Sequence, residues 1–331
     1  MKKNRLGNSE VFVSAVTLGS WAIGGWMWGG NDKHDSVRAI HACCDHGITS
    51  VDTAPIYGFG LSESILGEAL EGRRSQYEIL TKCGLVWDRK QGGYFFTTQD
   101  NQGRGCDVYQ FSGKDSIIAE CEGSLRRLKT DYIDLYQIHW PDPTTPIEES
   151  MEALGILMKQ GKIRAAGVSN YSVEQMEKAS SVIELSSNQV PYSMVRRDIE
   201  KDVLPWCIEK QCSVLAYSPL QRGLLTGKIT PDYPFTPGDS RPELPHFKIN
   251  NLIKTNQFLE TIKPLADEKG IGLSQLVIAW TLAQTGITAA LVGARNERQV
   301  ASNAAALEVE LSKDELDMIG KELDKLELEI D

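Results

Sequence analysis

Four polar side chains with acid–base chemistry stand at, or just beyond, the ends of three consecutive apolar runs. Asp52 ends the run ITSVD and Tyr57 follows in the next loop; Lys82 ends YEILTK, and His139 ends IDLYQIH. A carboxylate, a phenol, an ammonium and an imidazole in one place form an acid–base site. We therefore predict that these four residues are catalytic.

The residue types favour proton donation to an oxygen atom. A phenol has a pKa of about 10 and is a poor acid at neutral pH, but a nearby ammonium lowers that pKa. Asp52 would keep Lys82 charged and oriented, so that Tyr57 donates a proton while His139 acts as a second donor. The alkoxide that develops when a carbonyl is reduced fits this description.

Each residue also has a structural interpretation when it is taken alone. Asp52 could be a turn residue, Tyr57 a core aromatic, and His139 a structural histidine. Lys82 is harder to explain in this way, because lysine is seldom buried without a partner. The set of four at neighbouring strand ends favours the catalytic interpretation.

The elements that must position these residues are short apolar runs that alternate with helical patterns. The eight runs lack strict alternation, as parallel strands covered on both faces do, and strand–helix alternation indicates right-handed crossovers. We predict an α/β fold, a (β/α)8 TIM barrel, in a single domain over residues 1–331. The predicted strands are 15–19, 48–52, 77–82, 133–139, 163–169, 186–192, 212–218 and 288–294.

Capping patterns predict where several helices begin. Thr145 and Glu148 form a capping-box pattern, with Pro146 at the first helical position and Gly161 as the terminator. Further helices are predicted at 114–128, 172–179 and 312–319. Two long connections, 84–115 after the third strand and 219–247 after the seventh, lie on the face where barrel active sites are built, and we expect functional lids there.

The net charge and the composition of the chain narrow the possible functional classes. A formal charge of −10 argues against nucleic acid and anionic membranes as partners, and no run of apolar residues is long enough to span a bilayer. Seven cysteines without a C-x-x-C pair, and few histidines, predict a cytoplasmic protein without a metal site. We expect a small-molecule substrate and a monomer or weak homo-oligomer.

Two rival chemistries are disfavoured. Gly58 and Gly60 form a G-x-G after a strand, but Glu63 stands where a dinucleotide fingerprint needs a small residue, and the following strand ends in Lys82 instead of an acidic residue. A Schiff-base role for Lys82 needs a neutral amine, which a nearby Asp52 opposes.

Several longer stretches resemble signature blocks of the aldo-keto reductase family, in the family's order and over nearly the whole chain. The match is closest to bacterial family 11, the Bacillus-type general-stress and inositol-operon reductases related to potassium-channel β subunits. The blocks are DTAPIYGFGLSESILGEAL, ILTKCG, DYIDLYQIHWPDP, GKIRAAGVSNYS and YSPLQRGLLTGK.

The resemblance implies NADPH-dependent carbonyl reduction, with Tyr57 as the proton donor. It also implies that Asp52, Ser20 and Trp21 edge the nicotinamide pocket, that Ser169, Asn170 and Gln189 hold the carboxamide, and that Tyr217 stacks on the ring. The implied pyrophosphate contacts are Ser218, Pro219, Leu220, Gln221, Gly223, Leu224 and Lys228; the implied adenosine contacts are Gly293, Ala294, Arg295, Gln299 and Asn303.

An alternative within the same family remains open. Channel β subunits share the barrel and bind NADPH, yet act mainly as partners of another protein, with little turnover. The sequence leaves the physiological carbonyl compound undetermined, although Trp21, Trp26, Trp28, Trp87, Tyr94, Phe95 and Phe96 suggest an aromatic pocket.

Overall fold

Eight parallel strands form a closed barrel in the computed structural model, which describes residues 3–330. All eight predicted strands are confirmed, each with ends within two residues of the prediction. Around the barrel each strand pairs with its neighbours in the chain, and β8 closes against β1. The strands are β1 (Val16–Gly19), β2 (Ser50–Asp52), β3 (Glu78–Cys83), β4 (Ile133–Ile138), β5 (Ile163–Ser169), β6 (Ser187–Pro191), β7 (Ser213–Tyr217) and β8 (Ile287–Gly293).

Helices pack around the outside of this barrel and bury its apolar outer face, as in a (β/α)8 fold. They are α1 (Lys33–Asp45), α2 (Leu61–Ala69), α3 (Lys114–Leu128), α4 (Ile147–Lys159), α5 (Val173–Ser180), α6 (Val203–Glu209), α7 (Ile249–Glu268), α8 (Leu273–Ala283), α9 (Glu297–Ala304) and α10 (Lys313–Leu323). None of the described helices is long and apolar enough to cross a membrane.

The capping predictions have mixed outcomes. Reciprocal capping boxes begin α5 at Ser172 and α10 at Ser312. The capping box predicted for α4 is wrong, because Pro146 is the N-cap and no side chain caps the helix. The Thr145 hydroxyl donates instead to Asp142 Oδ2 at 2.6 Å, so this side chain is bound to a preceding carboxylate and does not cap the helix.

The amino-terminal end of the barrel is closed by an antiparallel pair of strands, Lys3–Arg5 and Phe12–Ser14. Leu6, Val11 and Val13 beside this pair pack with apolar residues of the barrel interior. The opposite end, where the strands finish, therefore carries the open face.

The 84–115 segment is more ordered than a loop. It forms a three-stranded antiparallel sheet of Leu85–Val86, Gly93–Gln99 and Gly105–Gln110, the last strand lying in the middle. The 219–247 loop contains three short 3-10 turns, Gln221–Thr226, Arg241–Glu243 and Pro245–Phe247. Both segments stand over the open face.

Candidate active site

The barrel brings the four predicted catalytic residues to one place. Asp52 is the last residue of β2, Lys82 is the penultimate residue of β3, and His139 directly follows β4. Tyr57 lies on the β2–α2 loop. We call these four residues the strand-end cluster.

Close backbone packing holds the loop that carries Tyr57. A Cβ built on Gly58 would lie 2.3 Å from the Gly24 oxygen, and one on Gly24 would lie 2.7 Å from the Tyr57 carbonyl group. Gly58 also has φ +64°, a left-handed conformation that suits glycine. These two glycines let the turn after β1 pass against the Tyr57 loop.

The Lys82 ammonium is the centre of the strand-end cluster. Its Nζ lies 2.6 Å from Asp52 Oδ1, 2.9 Å from the Thr53 carbonyl oxygen and 3.3 Å from Tyr57 Oη. Three donor protons therefore meet three acceptors. Lys82 has no exposed surface and Asp52 only 3%, so the ion pair is dry.

Burial dominates the electrostatics of the site. It lowers the pKa of Lys82 and raises that of Asp52, because both charged forms leave water, while their mutual contact opposes both shifts. Burial, with a smaller contribution from Lys82, also depresses the pKa of His139 well below its usual value. His139 is therefore a neutral imidazole at neutral pH.

The structure reverses one expectation about Tyr57. The sequence predicts a lowered pKa, but burial and then the Asp52 charge raise the pKa of the phenol well above 10. Asp52 lies 2.6 Å from Lys82 and offsets the ammonium's charge, so Lys82 does not make the resting phenol acidic. Tyr57 therefore stays protonated, as a proton donor must.

A second layer of hydrogen bonds supports the strand-end cluster. Gln189 Nε2 donates to Asp52 Oδ2 at 2.8 Å, the oxygen that Lys82 leaves free. Asn170 Nδ2 donates to the His139 carbonyl at 3.1 Å, and the Tyr217 hydroxyl donates to Asn170 Oδ1 at 2.9 Å. The side-chain amides predicted to face a carboxamide thus also brace the strand-end cluster.

A cavity of about 810 Å³ opens above this cluster, within the size range of cofactor and ligand sites. It brings together residues from the ends of several strands and from the loops that follow. The predicted residues that line it are Ser20, Trp21, Asp52, Tyr57, His139, Ser169, Asn170, Gln189, Tyr217, Ser218, Pro219, Leu220, Gly223, Lys228, Gly293, Ala294, Arg295, Gln299 and Asn303.

Three predicted residues do not line the cavity. Lys82 lies beneath it, fully buried. Leu224 is also fully buried and packs with Ile229 and other apolar residues of the 219–247 loop. Gln221 is turned inward, where its Oε1 accepts a hydrogen bond from the Ser193 hydroxyl at 3.2 Å.

Two arginines of the 219–247 loop line the cavity and were not predicted. The Arg222 guanidinium lies 4.7 Å from the Trp21 ring centre, and that of Arg241 lies 5.3 Å from the Trp28 ring centre while pairing with Asp239. Arg222 has φ +53°, an unusual conformation for a side chain of its size. The residue types of this segment do not predict the left-handed turn at Arg222.

The aromatic residues divide into two groups. Lining the cavity are Trp21, Trp26, Trp28, Phe95, Phe96 and Trp140. Trp87 packs behind them against Phe59, and Tyr94 is 60% exposed on the far side of the sheet. The aromatic pocket suggested by the sequence is thus present, and most of the residues named for it line the cavity. Trp87 and Tyr94 are the exceptions.

The cations of the cavity lie at one end. Arg222, Lys228, Arg241, Arg295 and Arg298 all belong to segments that follow β7 and β8. Helix α9 also begins there, with its N-cap at Asn296, and helix N-termini favour anions. This end suits phosphate groups. Within residues 3–330 no cluster of His, Cys, Asp or Glu suited to a metal ion occurs.

The profile of the aldo/keto reductase family matches residues 15–324 of the chain. The aldo-keto reductase YhdN of Bacillus subtilis is 40% identical over 303 residues, covering 91% of this chain and 87% of that protein. An NADH-specific methylglyoxal reductase of Escherichia coli is 40% identical over 321 residues, covering 94% and 95%.

Solved structures are similar throughout. The glycerol dehydrogenase AKR11B4 of Gluconobacter oxydans superposes with a TM-score of 0.88 at 40% identity, covering 98% of this chain and 95% of that one. An aldo/keto reductase of Klebsiella pneumoniae, solved with NADP and acetate, has a TM-score of 0.72 at 30% identity, covering 97% and 95%. The predicted likeness to bacterial family 11 is confirmed.

Proposed function

The chain belongs to the aldo/keto reductase family of oxidoreductases, and from this premise we propose that it reduces aldehydes and ketones to alcohols with Tyr57 as the proton donor. One observation carries the proposal: the Lys82 ammonium contacts both the Asp52 carboxylate and the Tyr57 hydroxyl on the cavity floor. A phenol with an ammonium beside it is suited to protonate an oxygen that gains negative charge.

The residues divide the work of the reaction. Bound NADPH supplies the hydride that goes to the carbonyl carbon. Tyr57 gives its proton to the carbonyl oxygen, and the phenolate that forms is stabilised by Lys82 at 3.3 Å in a largely buried site. His139, neutral through its depressed pKa, orients the carbonyl oxygen with a ring N–H. Solvent then returns a proton to Tyr57.

The cavity suits a nicotinamide dinucleotide by the chemistry of its lining. Ser169, Asn170 and Gln189 offer hydroxyl and amide groups for the carboxamide, and the Tyr217 ring offers a flat surface. The loop from Ser218 to Lys228 would follow the pyrophosphate. Gln221 and Leu224 are the exceptions, because both are turned away from the cavity.

Arg295 is the proposed contact for the 2′-phosphate of NADPH, since its guanidinium can bind phosphate in a forked geometry. The Klebsiella relative holds NADP, whereas the Escherichia coli relative is NADH-specific, so the preference must be measured on this chain. All seven cysteines are free thiols, which supports a cytoplasmic location.

The proposal is tested by the Tyr57→Phe variant, which keeps the ring and removes the proton. We expect the variant to bind NADPH as the wild type does, measured by fluorescence titration, and to reduce a panel of aldehydes and ketones about 10²- to 10⁴-fold more slowly. A variant as active as the wild type would contradict the role of Tyr57. Tight NADPH binding by a wild type without turnover would instead favour the auxiliary-subunit alternative.

A further inference from the structure

The wall of the cavity above the strand-end cluster is built from four aromatic rings: Trp26, Phe95, Phe96 and Trp140, here called the aromatic wall. Their ring centres are close: 6.0 Å between Trp26 and Phe96, 5.1 Å between the two phenylalanines, and 5.2 Å between Phe95 and Trp140. Ile56 and Leu85 complete this side of the cavity with apolar surface.

An irregularity in the hairpin puts two consecutive residues on this wall. Tyr94 is paired with Tyr109, and Phe96 with Val108, so Phe95 is an extra residue without a partner on the opposite strand. Neighbouring residues of a regular strand face opposite sides, yet both Phe95 and Phe96 line the cavity. Bulges re-aim side chains in this way, often beside active sites.

A hydrogen bond fixes the stacked pair at the centre of the wall. Trp26 Nε1 donates to Thr98 Oγ1 at 3.0 Å, and Thr98 lies two residues from Phe96, on the same face of its strand. The planes of Trp26 and Phe96 differ by 20°, so the two rings are nearly parallel. The stacked Trp26–Phe96 pair is therefore braced, while the plane of Phe95 is tilted by 59° to that of Phe96 and by 54° to that of Trp140.

In the described part of the chain no cation lies over a ring of the aromatic wall; Arg222 lies over Trp21, whose ring centre is 6.3 Å from that of Trp26. Apart from Asp52, which pairs with Lys82, the ionised side chains lining the cavity come from the segments after β7 and β8. Cation–π contacts among residues 3–330 involve Trp21 and Trp28 but no ring of the aromatic wall. An ionised substituent placed against this wall would lose its hydration without gaining a partner.

We propose that the bulge at Phe95 makes the hairpin a specificity element, which selects uncharged carbonyl compounds with a flat aromatic ring. This inference rests on the proposed reductase function. An aryl ring stacked on the wall gains aromatic contacts, while its carbonyl group reaches toward Tyr57 and His139. Small polar substrates, such as the methylglyoxal of one relative's name, use little of this surface.

The test compares kcat/KM for benzaldehyde, propanal, methylglyoxal and para-carboxybenzaldehyde with NADPH. We expect the wild type to prefer benzaldehyde to propanal about tenfold or more, and to prefer it to the carboxylated analogue by a similar factor. In Phe95→Ala and Phe96→Ala the benzaldehyde-to-propanal ratio should fall by about 2- to 12-fold each, because benzaldehyde loses more ring contact than propanal does. Phe96→Leu, which keeps apolar volume, should lose the ratio without loss of fold.

The matched control is Tyr94→Ala, since Tyr94 lies on the same strand but is 60% exposed and outside the cavity. Its substrate ratio should equal that of the wild type. Equal efficiency with benzaldehyde and propanal, or a ratio unmoved in all three phenylalanine variants, would overturn the specificity role and leave the reductase function intact. A wild type that binds NADPH and reduces none of the four aldehydes would overturn the proposed function itself.

Discussion

The strand-end cluster and the aromatic wall border one cavity and are built in opposite ways. The cluster stands on strand ends and the loop after β2, is largely buried, and pairs its two charges, those of Lys82 and Asp52, at 2.6 Å. The wall stands mainly on connections between strands, consists of rings, and has a single side-chain hydrogen bond, from Trp26 to Thr98. The comparison assigns the proposed chemistry to the barrel and the proposed substrate choice to the inserted hairpin.

The largest expected effect concerns the buried ion pair. Lys82→Met should lower the free energy of unfolding by about 3–5 kcal/mol, because Asp52 keeps a buried charge without its partner. The double variant Asp52→Leu with Lys82→Met should recover most of that loss, since no charge remains. Chemical denaturation measures both, with Tyr94→Ala as a surface control that loses its ring contact with Tyr109 and should cost only about 1 kcal/mol. If the double variant instead loses more free energy of unfolding than Lys82→Met, charge pairing does not explain the stability of the strand-end cluster. The contrast between the paired charges of the cluster and the uncharged wall would then fail.

Substitution of Arg295 tests whether the cationic end of the cavity binds the 2′-phosphate of the cofactor. Arg295→Ala should weaken NADPH binding about 10- to 150-fold, the value of a charge-assisted contact of about 1.5–3 kcal/mol, and should leave NADH nearly unchanged. Titration of both cofactors against the variant measures this. The exposed Arg126 lies outside the cavity, and Arg126→Ala serves as the charge-matched control. Equal losses for the two cofactors would rule out the phosphate role.

A third experiment addresses the raised pKa of Tyr57. The Asp52 charge contributes to raising it, so Asp52→Asn removes that contribution and leaves the Lys82 charge without its counterion. The pKa of Tyr57 should then fall. The sign follows from the loss of the Asp52 charge: without a nearby anion the phenolate form is less disfavoured, so ionisation begins at lower pH.

The measurement is the tyrosinate absorbance of Asp52→Asn against the same variant carrying Tyr57→Phe, which subtracts the other nine tyrosines. If the pH at which the Tyr57 absorbance appears is the same as in the wild type, the Asp52 charge does not influence the pKa of Tyr57. Burial alone would then raise that pKa.

The sequence predicts the cluster well and the wall only in part, for physical reasons. Apolar runs ending in Asp52, Lys82 and His139 mark strand ends, and a closed parallel barrel puts strand ends together. Phe95 shows the limit, because regular alternation would turn it away from Phe96 and a bulge has no clear signal in residue type. Gln189 shows another: its amide group predicts a ligand contact, but its hydrogen bond to Asp52 depends on the packed barrel.

The direction of the Tyr57 pKa was missed for a related reason. The sequence reasoning counted the effect of the Lys82 charge on Tyr57 but not the effect of the Asp52 charge, which offsets it at 2.6 Å, nor the partial withdrawal of the phenol from water. Burial is a property of the whole fold, which the spacing of four residues does not contain.

The smallest effect sharpens the comparison from the side of the wall. Thr98→Val removes the oxygen that accepts the Trp26 N–H while keeping the β-branched shape, and should cost about 1 kcal/mol of stability. The benzaldehyde-to-propanal ratio should fall by less than in Phe96→Ala, because the rings remain but Trp26 is no longer fixed. Thr97→Val is the matched control, since Thr97 contacts Asp107 instead and does not line the cavity. If Thr98→Val lowers kcat/KM for benzaldehyde and propanal equally, the hydrogen bond supports the whole active site. The proposed division, with catalysis on the barrel and substrate selection on the hairpin, would then not apply to this bond.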